Sequence, residues 1–422
     1  MFGRAMSALT VVSLGAGVFG AGCSAGVDNQ GGSGGSGSSV NTGGSSATFL
    51  PTTGTGLDPS LGDLTGKVLA PEGTIPISGA LVYLSATSPA PIPDGTFCDR
   101  CIEIQASTDY TFSKADGTFD LVVHATGMQF LVVQKGQFRR TRLIDVTQGT
   151  HPVDVSMTTL PGKTDKAAGD DIPKMAVRVG AWDHIEDSLE KLGIQPGAYD
   201  KFQYPFPPNA NDPFSPDKLF NDDGTTLSNY HIVFVPCSGS SGTTCDDYTT
   251  GSATVKTNLH KFVDGGGRLY VTDYSYDFVR QPWPEYIDWV NETSQIGSAC
   301  LQGAYDSPAM NVDPGLEEWM TAQGMGAFTV QQSWTSIDAV HTVATTDLDN
   351  KPVMVTPKVW VWANTGQGMH PATVSFERSC GRVLFSTYHT EGNGGATLLP
   401  QEKALLYVLL EVSVCLNQPI PK

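Results

Sequence analysis

The sequence predicts an all-β sandwich at residues 61–160, followed by an α/β domain with a parallel sheet at 172–422. The first part contains short alternating apolar runs that are broken by turn residues, which is typical of a β-sandwich. In the second part, continuous apolar strands alternate with helical patterns, which favours a parallel sheet covered on both faces. A polar stretch at 161–171 separates the two patterns and is predicted to be a linker.

The N-terminus carries the pattern of an export signal. Arg4 supplies a positive charge, and residues 8–19 form an apolar stretch that is too short to span a bilayer. Small residues then lead directly into Cys23, which resembles a bacterial lipobox, although Gly20 stands where that motif has an aliphatic residue. The resemblance implies a lipoprotein signal peptide at 1–22 and a diacylglycerol anchor on Cys23. The alternative is an ordinary secretory signal with an incidental cysteine.

Residues 23–60 form a tether in this interpretation. The segment is dominated by Gly, Ser, Thr and Asn, so it buries too little apolar surface to offset its ordering entropy. No later segment has 18 uninterrupted apolar residues, so the predicted contact with a membrane is the lipid anchor alone. We therefore expect the protein in the cell envelope, at the outer membrane or the cell surface.

The charge balance restricts the possible partners. The chain has 25 basic and 43 acidic residues, with a net charge of −18. A surface of this sign repels the phosphates of DNA and RNA, so the sequence excludes a nucleic-acid-binding function.

Six short strands are predicted within the first folded part, and none of its segments has the length and period of a solid helix. Three of its segments resemble the carboxypeptidase regulatory-like, transthyretin-type sandwich: residues 66–68, 77–82 and the turn at 115–119. The resemblance implies an accessory or binding module without catalytic residues. The predicted strands are 64–69, 79–84, 102–104, 118–123, 130–133 and 153–157.

Strands and helices alternate in the second folded part. The helix at 183–192 has apolar residues at i, i+4 and i+7 and is expected to stop at Gly193. The Gly265–Gly267 run lies between a helix end and a strand start, which favours a helix stop over a phosphate-binding loop. The predicted strands are 175–179, 231–236, 268–273 and 382–387, and the predicted helices are 183–192, 255–263, 276–280 and 401–412.

This second part resembles the class I glutamine amidotransferase-like, flavodoxin-type fold. The resemblance is carried by NYHIVFVPCSG, by VKTNLHKFVDGGGRLYVTDYSYDF and by HPATVSFERSCGRVLFSTYHTEGN. It extends over 171–422 and leaves an insertion near 282–370. The insertion is rich in aromatic residues, which either form a satellite core or provide a platform for sugars.

The same resemblance implies a candidate site at the ends of two strands. His389-Thr390-Glu391 matches the His-x-Glu motif of these relatives, and Ser275 stands at the turn where they have a cysteine nucleophile. The turn lacks the glycines that shape an oxyanion hole. Two alternatives remain: a degenerate pocket that binds without turnover, or a serine hydrolase that uses Ser275, His389 and Glu391. Cys237 is a less favoured nucleophile because it follows a different strand.

The cysteines are expected to form disulfides because the chain is exported. Cys237 and Cys245 lie eight residues apart, and Cys98 and Cys101 form a CxxC sequence. The predicted pairs are Cys98–Cys101, Cys237–Cys245 and Cys380–Cys415, with Cys300 competing for either member of the last pair.

No metal site and no cofactor are predicted. The sequence has no HExxH motif, and its histidines are scattered. The sequence therefore predicts a lipid-anchored extracytoplasmic binding or accessory protein whose ligand is a glycan or another protein. The alternative is an extracytoplasmic serine hydrolase.

Overall fold

A computed structural model describes a protein that is mostly β-sheet with a few helices. The described residues are 59–98, 108–204, 209, 211–238, 252–301, 304–311, 313–346, 351–365, 368–392 and 394–410. The predicted signal peptide, Cys23 and the predicted strand at 102–104 lie outside these residues.

The described part of the chain contains 21 strands, eight helices and a 3₁₀ turn. The strands are β1 Gly62–Lys67, β2 Leu81–Ser85, β3 Tyr110–Phe112, β4 Thr118–Val123, β5 Gly127–Lys135, β6 Phe138–Val146, β7 Gly149–Pro152, β8 Asp170–Asp171, β9 Met175–Arg178, β10 Tyr199–Phe202, β11 Ile232–Val235, β12 Arg268–Thr272, β13 Ile287–Trp289, β14 Tyr305–Asn311, β15 Thr329–Ser333, β16 Ile337–Val340, β17 Val343–Thr346, β18 Pro352–Val355, β19 Lys358–Asn364, β20 Met369–Arg378 and β21 Gly381–Ser386. The helices are α1 Val155–Thr158, α2 Ile185–Lys191, α3 Pro216–Phe220, α4 Thr225–Ser228, α5 Ala253–Asp264, α6 Asp277–Arg280, α7 Pro314–Ala322 and α8 Pro400–Leu410, and the 3₁₀ turn is Asp273–Tyr276.

The first folded part consists of two β-sheets. One has the strand order β4-β1-β7 and the other β3-β2-β5-β6-β8. Leu121 from the first sheet and Leu131 from the second belong to the same buried cluster, so the sheets pack face to face. Gly117 makes the turn into β4 at a φ of +81°, where a Cβ would meet the Val68 carbonyl oxygen. The sequence pattern correctly predicted four of these strands.

The predicted strand at 153–157 is wrong. The side chain of Asp154 accepts a hydrogen bond from the Ser156 backbone N–H and starts the single helical turn α1. This local capping competes with strand pairing, as it commonly does at Asp and Ser. The segment 161–171, predicted to be a linker, ends in β8, which pairs antiparallel with β6.

A nine-stranded sheet forms the centre of the second part. Its order is β10-β9-β11-β12-β21-β20-β19-β14-β15. The first five strands are all parallel to one another. Taken in chain order their arrangement is 2-1-3-4-5, which is the flavodoxin-like order of doubly wound sheets. The predicted parallel sheet is therefore confirmed, and all four of its predicted strands are present.

The other four strands run antiparallel and come from residues 305–378. The insertion near 282–370 thus extends the sheet instead of forming a separate unit. Its large aromatic side chains are mainly core: Trp283, Trp289, Trp319 and Trp360 are each at most 3% exposed. This burial favours the core interpretation of the aromatic residues over a sugar platform.

Each face of the sheet is covered by a different set of elements. Side chains of β11 alternate, with Phe234 in one buried cluster and Val233 in the other. The cluster with Phe234 also contains Leu189 of α2 and residues from both sheets of the first part. Helix α5 covers the opposite face through Leu259 and Phe262. The apolar core is therefore continuous from the β-sandwich to one face of the large sheet.

A loop of the sandwich part crosses to the amino edge of the large sheet. The backbone N–H of Thr96 donates to the Ser228 carbonyl oxygen (2.8 Å), and its hydroxyl donates to that of Tyr230 (2.9 Å). Gly266, at a φ of +107°, lets Phe97 approach the end of α5 closely. These contacts bring Cys98 beside Cys380 in the turn between β20 and β21, and the two form a disulfide.

This disulfide corrects the predicted cysteine pairs. Cys98 and Cys380 bond to each other across 282 residues, so neither the Cys98–Cys101 pair nor the Cys380–Cys415 pair forms. Cys237 keeps a buried thiol, so the predicted Cys237–Cys245 pair is also wrong. Cys300 is also disulfide-bonded. Cys101, Cys245 and Cys415 lie outside the described residues.

Helices of the described residues are all too short or too polar to cross a membrane.

Candidate functional site

Three adjacent parallel strands end at the same edge of the large sheet, and a polar residue follows each of them. Cys237 comes two residues after β11, Asp273 directly after β12, and His389 three residues after β21. The carboxyl ends of parallel strands are where open α/β sheets place their ligands. The fold therefore converts three residues that are far apart in sequence into one cluster.

The three side chains of this Cys237–Asp273–His389 cluster lie within reach of a common point. The Cys237 Sγ atom is 3.8 Å from Asp273 Oδ2, and His389 Nε2 is 3.3 Å from the same oxygen. One ligand atom from each residue lies within 4.8 Å of the other two. Their exposed fractions are 1%, 0% and 6%, so the cluster is shielded from bulk water.

Asp273 has an unusual backbone at the turn that follows β12. Its φ is +44°, in the left-handed region that a residue with a Cβ rarely adopts. Its Oδ1 atom accepts hydrogen bonds from the Trp334 backbone N–H (3.0 Å) and the Thr335 hydroxyl (2.9 Å). Strained residues of this kind persist only when their surroundings hold them, and they concentrate at functional sites.

Burial and charge act on the two ionisable partners in different ways. Burial raises the pKa of Asp273, and this effect exceeds the lowering by His389 and Thr335. Burial, the largest single effect, lowers the pKa of His389, but Asp273 and the other acidic groups nearby together raise it more, and the net shift is upward. Asp183 and Glu391 add to the negative charge near this imidazole. The potential at the cluster therefore favours positive charge.

Asp183 holds the strand ends together from the loop after β9. This fully buried carboxylate accepts hydrogen bonds from the Thr272 hydroxyl (2.7 Å) and from the Thr390 backbone N–H (3.0 Å). The Thr272 oxygen in turn accepts from the Cys237 backbone N–H (2.9 Å). This chain of bonds fixes the backbone on both sides of the cluster.

Ser275 and Glu391 have other environments than the predicted triad requires. The Ser275 hydroxyl is fully buried and donates to the Pro236 carbonyl oxygen (2.8 Å). Glu391 is only partly buried, and its pKa is raised by burial and by Asp183. Of the three predicted residues, His389 is the one that belongs to the cluster, and its carboxylate neighbour there is Asp273.

Two aromatic side chains lie over this region. The rings of Tyr274 and Trp334 are partly buried, with their centroids 5.9 Å apart. The pKa of Tyr274 is raised by burial and by the nearby Asp273 and Cys237 side chains. Trp182 is 51% exposed, and its backbone N–H donates to the Cys237 carbonyl oxygen (3.2 Å). Tyr274 and Trp334 therefore form an aromatic rim beside the buried polar cluster, and Trp182 adjoins the cluster through its backbone.

The sequence reasoning missed Asp273 and set Cys237 aside. Asp273 is the last residue of the strand predicted at 268–273, and Cys237 directly follows the strand predicted at 231–236. That position was the available signal, because neighbouring parallel strands present such residues at one edge.

No family model matches the chain, and no curated protein matches it. Among solved structures, it is similar to a GMP synthase-like protein from Thermoplasma acidophilum, with 11% identity over 56% of this chain and 92% of that chain (TM-score 0.33). It is also similar to a ThuA-like protein from Bacteroides uniformis, with 9% identity over 56% and 89% (TM-score 0.33). A GH42 β-galactosidase from G. stearothermophilus has 12% identity to this chain (TM-score 0.29). The match covers 58% of this chain and 30% of the galactosidase. Similarities of this size carry no argument about function.

Proposed function

We propose that this protein is a lipid-anchored protein of the cell envelope that binds a ligand at the carboxyl edge of its large sheet without covalent turnover. The observation that carries the proposal is the hydrogen bonding of Ser275. Its hydroxyl is fully buried and donates to the Pro236 carbonyl oxygen. A serine nucleophile instead needs its proton directed at a base. The carboxylate of Asp273 stands at the strained turn position and faces His389.

The amidotransferase-like resemblance suggests how this arrangement of Asp273 and His389 could have arisen. Relatives with that fold have a cysteine nucleophile at the strand-to-helix turn and a His-x-Glu motif after a later strand. In this chain His389-Thr390-Glu391 retains the second element, whereas the turn has an acidic residue, Asp273, whose carboxylate lies 3.3 Å from the histidine. We infer a degenerate hydrolase-type site that serves for binding.

The ligand class follows from the site and the compartment. The rim offers Tyr274 and Trp334, Trp182 is exposed nearby in the chain segment that contacts Cys237, and aromatic faces can hold sugar rings or the apolar side chains of a protein. The sandwich of residues 61–160, with its transthyretin-type resemblance, is the accessory module of the proposal. A glycan or a protein outside the cytoplasm is the expected partner.

Anchoring is tested by changing Cys23→Ala. We expect the wild-type chain in the membrane fraction and the variant in the soluble fraction, because a diacylglycerol supplies the apolar surface that holds a protein on a bilayer. Fractionation by centrifugation and intact-mass analysis of the lipid on Cys23 measure the effect. Equal distribution of both chains, with no added lipid mass, would contradict the anchor.

The absence of serine chemistry is tested with a fluorophosphonate probe. We expect no labelling of the wild-type protein and none of Ser275→Ala, since the hydroxyl is bonded to a carbonyl and closed to solvent. Ser275→Ala should instead lower the free energy of unfolding by about 1–2 kcal/mol, because it leaves the Pro236 carbonyl oxygen without its donor. Stoichiometric labelling that is lost in Ser275→Ala and in His389→Gln would replace this proposal with a serine hydrolase.

A further inference from the structure

The His389 imidazole has a buried nitrogen whose hydrogen-bonding capacity is not used. Its Nε2 atom lies 3.3 Å from Asp273 Oδ2, yet it has no hydrogen-bond partner among the described residues. The side chain is more than nine-tenths buried. An unused nitrogen in such a place costs free energy, so its environment calls for an explanation. A metal ion bound by both residues would use this nitrogen as a ligand atom.

The distances within the cluster fit such an atom. Zinc binds sulfur at about 2.3 Å, nitrogen at about 2.0–2.1 Å and carboxylate oxygen at about 2.0–2.2 Å in tetrahedral geometry. Those bonds place sulfur and oxygen about 3.6 Å apart, and nitrogen and oxygen about 3.4 Å apart. The corresponding distances here are 3.8 Å from Cys237 Sγ to Asp273 Oδ2, and 3.3 Å from that oxygen to His389 Nε2.

We propose that Cys237, Asp273 and His389 bind one Zn²⁺ ion at the carboxyl edge of the sheet. Thiolate, imidazole and carboxylate together select a borderline transition metal over Mg²⁺ or Ca²⁺, which prefer oxygen ligands alone. The thiolate and the carboxylate carry two negative charges, which the ion neutralises inside the protein. Three protein ligands leave the fourth tetrahedral position of the ion open for water or a solute atom. Structural zinc sites, by contrast, fill all four positions with protein ligands.

The surroundings of the three side chains support their orientation. The second oxygen of Asp273 is held by the Trp334 backbone N–H and the Thr335 hydroxyl. The backbone N–H of Cys237 is fixed through Thr272 to Asp183. Outer partners of this kind orient metal ligands and raise their affinity. The buried negative charge of Asp183 adds attraction for a cation.

This inference goes beyond the proposed function, and each can fail alone. A chain without zinc can still bind a glycan or a protein through its aromatic rim, and a zinc-binding chain can lack such a ligand. Zinc content and zinc affinity test the metal site, whereas fluorophosphonate labelling tests the proposal that the protein lacks serine chemistry.

The experiment measures zinc in the full-length chain, purified in detergent. After equilibration with Zn²⁺ and removal of excess metal, elemental analysis is expected to find one zinc per chain. Competition with a chromophoric chelator gives the affinity. Cys237→Ala and His389→Gln should each weaken it by at least about 100-fold, more than the loss of an outer partner causes. The matched control is His341→Gln, which alters an exposed His341–Asp288 pair (2.7 Å) and should leave the affinity unchanged.

A second measurement uses the wild-type chain and does not depend on the folding of a variant. Co²⁺ in the site should give intense visible bands and a thiolate-to-metal charge-transfer band in the near ultraviolet, and Zn²⁺ should slow alkylation of Cys237 by iodoacetamide. The proposal is overturned if the wild-type chain binds no stoichiometric zinc. It is also overturned if the cobalt spectrum lacks the thiolate band, or if well-folded Cys237→Ala and His341→Gln bind zinc equally.

Discussion

Replacing Cys380 with serine is expected to lower the free energy of unfolding by about 3–5 kcal/mol. The Cys98–Cys380 bond closes a loop across 282 residues, and long loops lose the most denatured-state entropy when they are cross-linked. The bond also holds the sandwich loop against the amino edge of the large sheet, where Thr96 and Phe97 make their contacts. Urea denaturation under non-reducing conditions, followed by circular dichroism, measures the change.

The matching variant is Cys98→Ser, which removes the same bond from the other side. We expect it to have the effect of Cys380→Ser, and the double variant to add little, because both residues act as one unit. Non-reducing tryptic mapping should recover the Cys98 and Cys380 peptides linked together. Arg100 lies between Cys98 and Cys101, so a bond between those two would instead join two adjacent tryptic peptides. Recovery of that pair would contradict the structure.

The parallel half of the large sheet could be predicted from the sequence because its strands are apolar on both faces. The segments that became β9, β11, β12 and β21 are short apolar runs between helical patterns, and burial on both sides accounts for that pattern. Helix α2 was predicted from its 3.6-residue period and its glycine stop, and helix α5 was predicted to end at the glycine run that follows it. These patterns depend on residues that are close in sequence, so they can be recognised without knowledge of the tertiary structure.

The antiparallel half gave no comparable signal. Strand β14 contains Asp306 and Pro308, and β15 contains two glutamines in the sequence TVQQS. Such segments become strands because neighbouring strands offer hydrogen bonds, and β-propensity depends strongly on that context. The same limit explains why the segments of β14, β15 and β19 were assigned to an insertion near 282–370.

The candidate site was predicted in part. His389 was predicted from its His-x-Glu motif. The partner predicted for it, Ser275, instead donates its hydroxyl hydrogen bond to the Pro236 carbonyl oxygen. Ser275 was chosen as the nucleophile because of the family resemblance. The positive φ of Asp273 depends on the tertiary structure, and no residue pattern reveals it. Cys237 was the less favoured nucleophile because it follows a different strand and because Cys245 is near it in sequence, although disulfide connectivity cannot be deduced from spacing. The sequence predicted that two strand ends meet at this edge, but not that the end of β11 brings Cys237 to the same place.

The second large effect is expected at Trp319, which joins the two folded parts. This residue of α7 is 1% exposed, and its Nε1–H donates to the Pro76 carbonyl oxygen of the sandwich part (2.7 Å). Its ring lies against Tyr407 of α8, with centroids 5.1 Å apart. Trp319→Ala should lower the free energy of unfolding by about 3–5 kcal/mol, because it leaves a cavity in the continuous core. Differential scanning calorimetry and urea denaturation measure the loss.

The shape of the transition carries more information than its midpoint. A core shared by both parts predicts that the wild-type chain unfolds in one cooperative transition. Removal of Trp319 should then separate the unfolding of the sandwich from that of the large sheet. Trp319→Phe, which keeps much of the buried apolar surface but loses the N–H donor to Pro76 and part of the ring, should cost less than Trp319→Ala and preserve a single transition. Trp182→Ala is the exposed control and should change the free energy of unfolding by less than about 0.5 kcal/mol. Two well-separated transitions in the wild-type chain, with Trp319→Ala lowering only one of them, would show that the two parts fold independently despite their shared apolar contact.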